Sequence, residues 1–485
     1  MTGRADVRSR AASTLGAPIR FGTSGWRGIL GEEVTYPRLR VLVRAVCDWV
    51  AEADRGERVL IGWDGRFASR SLAETAARIA VEAGLRPTLA SDRTPTPAVT
   101  HALYRGRCAA GLVLTASHNP APYHGLKVFG PTGATIPDAD ARRIEAIAAG
   151  LQADEGPPRS ARLGRREDLT ERYRRSLAEL FAGGALRSSR LSVFYDAMHG
   201  CGGGVLDRVL AEAGARIEGF RLDGDPLFGG EPPDPTADRL GGLARKTRLG
   251  RGLRLGLATD GDGDRIAAVD GRGTVLTETQ VLAVLVDHLA TTGHVERGVA
   301  LTAGTGSLVE KVARAHGLVV ERHPVGFKHL SAALEAGRVD IAGEESGGFA
   351  LAGLGCDKDG ILAGCLLARL VATTGEPLEA HVARLEGRFG ASACGRTALP
   401  LTPALEAAVE SLNVAPPVRI GGCRIVRIEE RFGLRLSMAD DGFVLLRRSG
   451  TEPVLRIYAE APDRKALDER LVRTKSLLQR RASKG

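Results

Sequence analysis

Ser117 and His118 stand side by side in LTASHNP, residues 114–120. Neighbours along a chain point in different directions, and a catalytic triad is a spatial arrangement rather than a run of adjacent residues. A serine hydrolase elbow also wants glycine two residues to either side of the serine, where Thr115 and Asn119 stand here. If Ser117 is a nucleophile, its electrophile is therefore not an acyl group.

The stretch LATDGDGDRIAAVD suggests what that electrophile is. Asp260, Asp262 and Asp264 alternate with Gly261 and Gly263 between two apolar runs. Carboxylates on a tight glycine turn can converge on one hard cation, and without one they repel. The bland alternative is a solvated acidic turn. An EF-hand is excluded, because Arg265 stands where its glycine belongs and Gly271 where its glutamate belongs. Few carboxylates with open positions suit Mg²⁺ better than Ca²⁺, because Mg²⁺ fills the rest with water or phosphate oxygens. Arg265 adds a planar donor fork for a phosphate. Together these residues point to phosphoryl transfer, with phosphorus as the electrophile for Ser117.

Two further stretches carry anion and sugar chemistry. In LLRRSGTEPVLRIYAE, Arg447, Ser449, Gly450 and Thr451 offer a guanidinium, hydroxyls and backbone amides within one turn. The same residues could equally form a plain turn between strands. GEESGGF places Glu344 and Ser346 on a glycine-rich loop suited to paired hydroxyls.

These loops need elements to hold them. RVLIGWDGRFASRSLAETAARIAVEAGLRPTLA, RLSVFYDAMHGCGGGVLDRVLAEAGARIEGF and GVALTAGTGSLVEKVARAHGLVVERHPVG share one order: strand, glycine loop, helix, glycine, strand. Three such βαβ units predict three successive α/β domains, each with a helix N-terminus that suits an anion. The tail from about residue 395 alternates short strands and turns before an amphipathic helix, an α+β module. A chain of 485 residues, 43% hydrophobic and 26% charged, has material for several cores. About three or four domains are expected at that length.

Seven scattered cysteines without a C-x-x-C pair predict free thiols in a reducing compartment. The net charge of +9 is spread along the chain and only 4% of residues are aromatic, which argues against nucleic acid and for an arginine-rich surface facing small anions. No apolar run of about 18 residues predicts a membrane span. The basic N-terminus lacks the apolar core of a secretory signal and the amphipathic pattern of a transit peptide, and is expected to be a short flexible extension.

In content and order the motifs resemble the α-D-phosphohexomutase family (phosphoglucomutase/phosphomannomutase), over nearly the whole chain from about residue 19. FGTSGWRG (21–28) looks like the family's opening phosphosugar loop, TASHNP its phosphoserine loop and TDGDGDR its metal loop. GEESGG looks like its sugar loop and RSGTEP its phosphate loop. The resemblance implies a four-domain architecture around a central cleft, three α/β domains with mixed sheets followed by an α+β domain. The expected boundaries are an extension over 1–18 and domains over 19–166, 167–274, 275–394 and 395–485.

It also implies roles. Ser117 would carry the phosphoryl group and give an oxygen to one Mg²⁺ per chain held by Asp260, Asp262 and Asp264. Lys127 would be the general base or acid, in a cationic site expected to lower its pKa, with His118 assisting by position. Arg27 and Arg265 would neutralise charge. Glu344 and Ser346 would grip sugar hydroxyls, with Lys358 and Lys328 as further substrate contacts. Arg447, Ser449, Gly450 and Thr451 would hold the phosphate not being transferred.

The expected reaction is interconversion of hexose 1- and 6-phosphates, glucose before mannose, with glucose 1,6-bisphosphate as intermediate and activator. The expected protein is cytoplasmic, a monomer or homodimer. Gly348 stands where dual glucose/mannose enzymes carry histidine, and Arg448 where a proline is common, adding a cation near the phosphate. Trp26 is set against the alternative of a phosphoglucosamine mutase. A metal-dependent sugar-phosphate phosphatase would share the serine and the metal but release inorganic phosphate. A non-catalytic sugar-phosphate sensor would need to have lost chemistry whose residues are all present.

Overall fold

The computed structural model describes residues 17–23, 25–151, 157–449 and 453–483. It contains four sheets, each built from consecutive strands, and three of them share one plan. In the first, β1 (Trp26–Ile29), β2 (Arg58–Trp63), β3 (Arg86–Ala90), β4 (Ala110–Leu114), β5 (Tyr123–Phe129) and β6 (Arg165–Glu167) lie in the order β1-β5-β4-β2-β3-β6. The second has β7 (Ser192–Asp196), β8 (Arg216–Phe220), β9 (Arg254–Thr259) and β10 (Ile266–Val269) in the order β10-β9-β7-β8. The third has β11 (Gly298–Thr302), β12 (Val319–His323), β13 (Ile341–Gly343) and β14 (Phe349–Leu351) in the order β12-β11-β13-β14.

Each of these sheets has a parallel trio, β3-β2-β4, β8-β7-β9 or β12-β11-β13, followed by one antiparallel neighbour. The three βαβ units read from the sequence supply two strands of each trio, joined by helices Ser69–Glu82, Leu206–Glu212 and Ser307–Ala315. Parallel strands covered by helices read as continuous apolar runs, and the fully buried β4 and β11 show it. The tail forms an antiparallel sheet of β15 (Ala393–Pro400), β16 (Arg419–Ile420), β17 (Cys423–Glu429), β18 (Leu434–Met438), β19 (Phe443–Arg448) and β20 (Val454–Ala461). Helix Arg464–Ala482, capped by the Asp463 carboxylate, closes the chain.

The second and third sheets share one continuous core, into which helix Gly360–Thr374 is sunk on nearly all sides. The first and fourth sheets have cores of their own. The fourth domain is tied to the third by polar contacts: the buried Glu460 carboxylate accepts from the Ser307 amide (2.9 and 3.0 Å) and hydroxyl (2.9 Å) at the start of helix Ser307–Ala315. That helix N-terminus, expected to suit an external anion, is thus filled from within the protein. All seven cysteines are free. Among the described residues no single helix is long and apolar enough to cross a membrane.

His101, on helix Thr96–Arg105, packs against Tyr173 with ring centroids 5.4 Å apart, and neither ring nitrogen has a partner. Burial, then Arg105 and Arg172, lowers its pKa to about 4. The unfolded chain takes up that proton near pH 6.5, so protonation favours unfolding as pH falls from about 6.5 to about 4 and has no effect above that window. Urea denaturation across this range should show falling stability, with a shallower slope in His101→Phe. An unchanged slope would mean that the ring is not held neutral.

Candidate functional site

In each of the first three sheets the antiparallel neighbour of the parallel trio forms a hairpin with it, β19 and β20 form a fourth, and each hairpin carries one of the sequence motifs. Residues 115–122 join β4 to β5, 260–265 join β9 to β10, 344–348 join β13 to β14, and 449–453 join β19 to β20. The first three loops, fixed at both ends by paired strands, are rigid platforms for side chains.

The loops of the first two domains meet. Ser117 Oγ donates to Asp260 Oδ2 at 2.8 Å, and the Ser117 backbone has φ +52°. A Cβ on Gly261 would sit 2.6 Å from the Ser117 carbonyl oxygen, so only glycine allows this approach. From helix Thr96–Arg105, the Thr96 amide donates to the Asp262 carbonyl (2.9 Å) and its hydroxyl to Asp262 Oδ2 (2.5 Å). The sugar loop is stitched to the metal loop by the Ile266 amide on the Gly347 carbonyl (3.2 Å) and by a bridge between Arg265 and Gly348.

Asp260, Asp262 and Asp264 are buried, and one oxygen from each lies within 4.8 Å of the others. Burial, then Asp264 and Asp262, pushes the Asp260 carboxyl well above its usual range. Burial pushes Asp262 the same way, but Lys127, Thr96 and Arg27 outweigh it and hold that carboxyl below the usual range. Asp262 Oδ1 and Asp264 Oδ1 are buried without a partner. Three hard oxygen donors, mutual repulsion and two orphaned oxygens fit a divalent cation such as Mg²⁺.

Lys127 Nζ donates to Asp262 Oδ2 (2.6 Å) and Asp264 Oδ2 (2.5 Å). Its immediate partners are anionic, contrary to the cationic surroundings expected from the sequence. His118 Nδ1 lies 3.5 Å from Ser117 Oγ, and burial, then Arg265, Arg27 and Lys127, holds the ring well below its ordinary pKa. Arg27 Nη1 donates to Asn119 Oδ1 at 2.8 Å. Arg265 lies 3.7 Å from Asp234, and both Arg27 and Arg265 keep a buried, unpartnered Nε.

Around the sugar loop, Ser346 Oγ donates to Glu344 Oε1 at 2.5 Å. Lys358 Nζ lies 3.5 Å from Asp264 and 3.6 Å from Asp357, crossing Gly348, where a Cβ would be 2.4 Å from its Cδ. Burial lowers the Lys358 pKa, and Asp264, Asp357 and Glu344 more than reverse it. Lys328 is ion-paired with Asp138 and lines a small cavity with Lys127 and the opening loop. The fourth domain faces this loop: Tyr458 is bonded to Arg447, and its hydroxyl pKa is raised by burial and then by Glu345.

Ser449 is described, whereas Gly450 and Thr451 lie outside the described residues. Arg448 pairs with Glu406 (3.1 Å) and Glu410 (3.9 Å) on helix Pro403–Val414, so its charge is met within its own domain rather than added to the phosphate loop. Trp26 is 3% exposed in the core of the first domain, 5.9 Å from the Arg38 guanidinium, and does not face the sugar loop. Thr96, Asn119 and Asp234 carried no signal in the sequence, since their partners lie in other loops.

The phosphoglucomutase/phosphomannomutase family matches in all four of its parts: α/β/α domain I over residues 18–155, domain II over 171–273, domain III over 277–389 and the C-terminal domain over 425–475. The phosphoglucosamine mutase of Mycolicibacterium paratuberculosis is 32% identical over 457 residues, 92% of this chain and 95% of that protein. The phosphoglucosamine mutase of Sorangium cellulosum is 29% identical over 476 residues, 94% of each. A crystal structure from Thermus thermophilus, described as a phosphomannomutase, superimposes with TM-score 0.84 at 29% identity, covering 96% of this chain and 99% of that one. The Aspergillus fumigatus N-acetylphosphoglucosamine mutase in complex with GlcNAc-6P and magnesium shares the fold, with TM-score 0.58 at 17% identity over 99% of this chain and 98% of its own.

Titration calorimetry with Mg²⁺ or Mn²⁺ should find one ion per chain. Asp262→Ala should weaken it by more than the ~10–100-fold that follows loss of an outer partner of a ligand. Unchanged affinity in that variant would remove Asp262 from the site.

Proposed function

Because the chain belongs to the phosphoglucomutase/phosphomannomutase family of phosphohexomutases, we propose that it interconverts the 1- and 6-phosphates of glucosamine through a phosphoserine at Ser117. The observation that carries the phosphoserine reading is the Ser117 hydroxyl resting on the buried carboxylate trio. The choice of glucosamine over the glucose expected from the sequence rests on the relatives named phosphoglucosamine mutase, which match over nine-tenths of the chain. Trp26, set against that sugar in the sequence, lies in the core and offers no objection.

In the forward half-reaction the bond between phosphorus and Ser117 Oγ breaks as the free sugar hydroxyl bonds to phosphorus; the Lys127 ammonium gives one proton to the departing Ser117 Oγ and takes the sugar hydroxyl's proton in its place. The product is a 1,6-bisphosphate. After this turns end for end, Ser117 Oγ takes the other phosphoryl group and the proton returns to the sugar oxygen. In-line transfer of this kind depends on positioning and charge neutralisation more than on covalent help. Arg27 and Arg265, each with an unpartnered Nε, meet the charge on the moving group. Glu344 and Ser346 orient sugar hydroxyls, Lys358 and Lys328 line the substrate's approach, and Arg447 and Ser449 with Gly450 and Thr451 hold the distal phosphate. A Mg²⁺ held by Asp260, Asp262, Asp264 and an oxygen on Ser117 would supply further neutralisation when bound.

A second reading is glucose phosphate, favoured by Gly348, or mannose phosphate, favoured by the Thermus thermophilus neighbour. Assays with glucosamine 1-phosphate, glucose 1-phosphate and mannose 1-phosphate, each with its bisphosphate, separate the two. The first should lead in kcat/KM by at least about tenfold, ~1.4 kcal/mol of differential transition-state binding. A comparable lead for glucose or mannose would establish the second reading. Ser117→Ala should reduce every one of these activities to background, and retained turnover would move the phosphoryl carrier elsewhere.

A further inference from the structure

Arg66 lies in WDGRF, just after β2, in the glycine loop of the first βαβ unit and outside the five motifs of the resemblance. Its side chain is buried and all five of its N–H groups find acceptors. Nε donates to Asp64 Oδ2 at 3.1 Å. Nη1 donates to the carbonyls of Pro120 (2.9 Å) and Tyr123 (3.1 Å), and Nη2 to those of Ser117 (2.5 Å) and Asn119 (2.6 Å). One planar fork therefore grips four carbonyls of the hairpin that carries the nucleophile.

The fork is itself held on its other sides. Asp64 is fully buried, and its Oδ1 accepts from the Arg66 amide (3.0 Å) and the Ser69 hydroxyl (2.5 Å). The ring of Phe228, from the second domain, lies against the guanidinium at 4.8 Å. Ser117 needs such support. Its φ of +52° lies in the left-handed region that side chains other than Asn or Asp seldom adopt, and such a backbone persists only where the surroundings over-determine it.

We propose that Arg66 is a positioning residue for phosphoryl transfer: its grip on these four carbonyls holds the Ser117 backbone left-handed and so keeps Oγ against Asp260. The catalytic part of this proposal rests on the phosphoserine reading of Ser117; the anchoring part does not. Lysine keeps the charge but offers donors from a single point instead of a fork, so it cannot reproduce the grip.

The test compares wild-type protein, Arg66→Lys and Phe228→Leu by steady-state kinetics and amide hydrogen exchange. In Arg66→Lys, kcat should fall about 100-fold, the size expected for an ångström-scale misplacement, with KM within about threefold of wild type. Exchange should quicken over residues 115–123 and stay unchanged over the metal loop, 260–265. Phe228→Leu, which leaves all five hydrogen bonds in place, should show the same pattern at smaller amplitude, and it serves as the deciding variant if Arg66→Lys does not fold. Wild-type kcat with wild-type exchange in Arg66→Lys would overturn the proposal. Faster exchange throughout the first domain, with kcat and KM changing together, would also overturn it by making Arg66 a general stability residue. If the wild-type protein lacked mutase activity, quickened exchange confined to 115–123 would still establish the anchoring, and the loss would fall on the phosphoserine reading alone.

Discussion

Three carboxylates and a serine hydroxyl share one buried place, and the rest of the molecule is arranged to permit it. Charges of one sign this close, away from water, are unfavourable unless cations oppose them. Lys127 and Lys358 reach into the trio directly, and Arg265 returns its backbone amide to Asp260 (3.1 Å) while its side chain stays beside it. Two carboxylate oxygens are still left without partners. The same surplus of negative charge that makes the site costly as protein suits it to a divalent cation and, in the proposed reaction, to a phosphoryl group that needs one.

The site is assembled from three domains: Ser117 and Lys127 come from the first, the three aspartates from the second and Lys358 from the third. Each of the three α/β sheets contributes the hairpin at its antiparallel neighbour and the last sheet contributes a fourth, and in the proposed reaction the four carry separate duties. The second and third domains share a core and present the metal and sugar loops as one rigid piece. The fourth has its own core and meets the third through a small apolar cluster, Ala303 and Val325 with Phe443, Leu445 and Tyr458, and through polar contacts, among them Glu460 with Ser307, Lys311 with Asp441 at 3.0 Å, and Arg435 with the Ala303 carbonyl at 2.6 Å. Interfaces between domains permit relative motion unless they are large and hydrophobic. In the proposed reaction a bisphosphate turning over between two half-reactions would use that freedom, together with closure that keeps water from the phosphoserine.

The loops were legible in the sequence because each is short and flanked by apolar runs that read as strands, and three of the four bear glycine. The DGDGD turn and the three βαβ units were read from such patterns, and the residues stand where those patterns require. What stayed hidden depends on contacts between distant segments. Nothing near Arg66 announces four carbonyls 51 to 57 positions away. Lys127 was expected among cations because its carboxylate partners lie more than 130 residues downstream. Trp26 and Arg448 were given roles by their place in a motif, and alternation along β1 and β19 turned one into the core and the other onto its own domain's helix. A motif identifies the loop; the strand register decides which of its side chains face the cleft.

The central claim is that Ser117 hands its phosphoryl group to the sugar beside the acidic trio. Protein labelled with radioactive phosphate on Ser117, mixed with unlabelled hexosamine monophosphate and quenched within one turnover, tests it directly. The label should leave the protein and appear in sugar phosphate, with almost none as inorganic phosphate. Label released chiefly as inorganic phosphate, or remaining on the chain while product forms, would contradict the account.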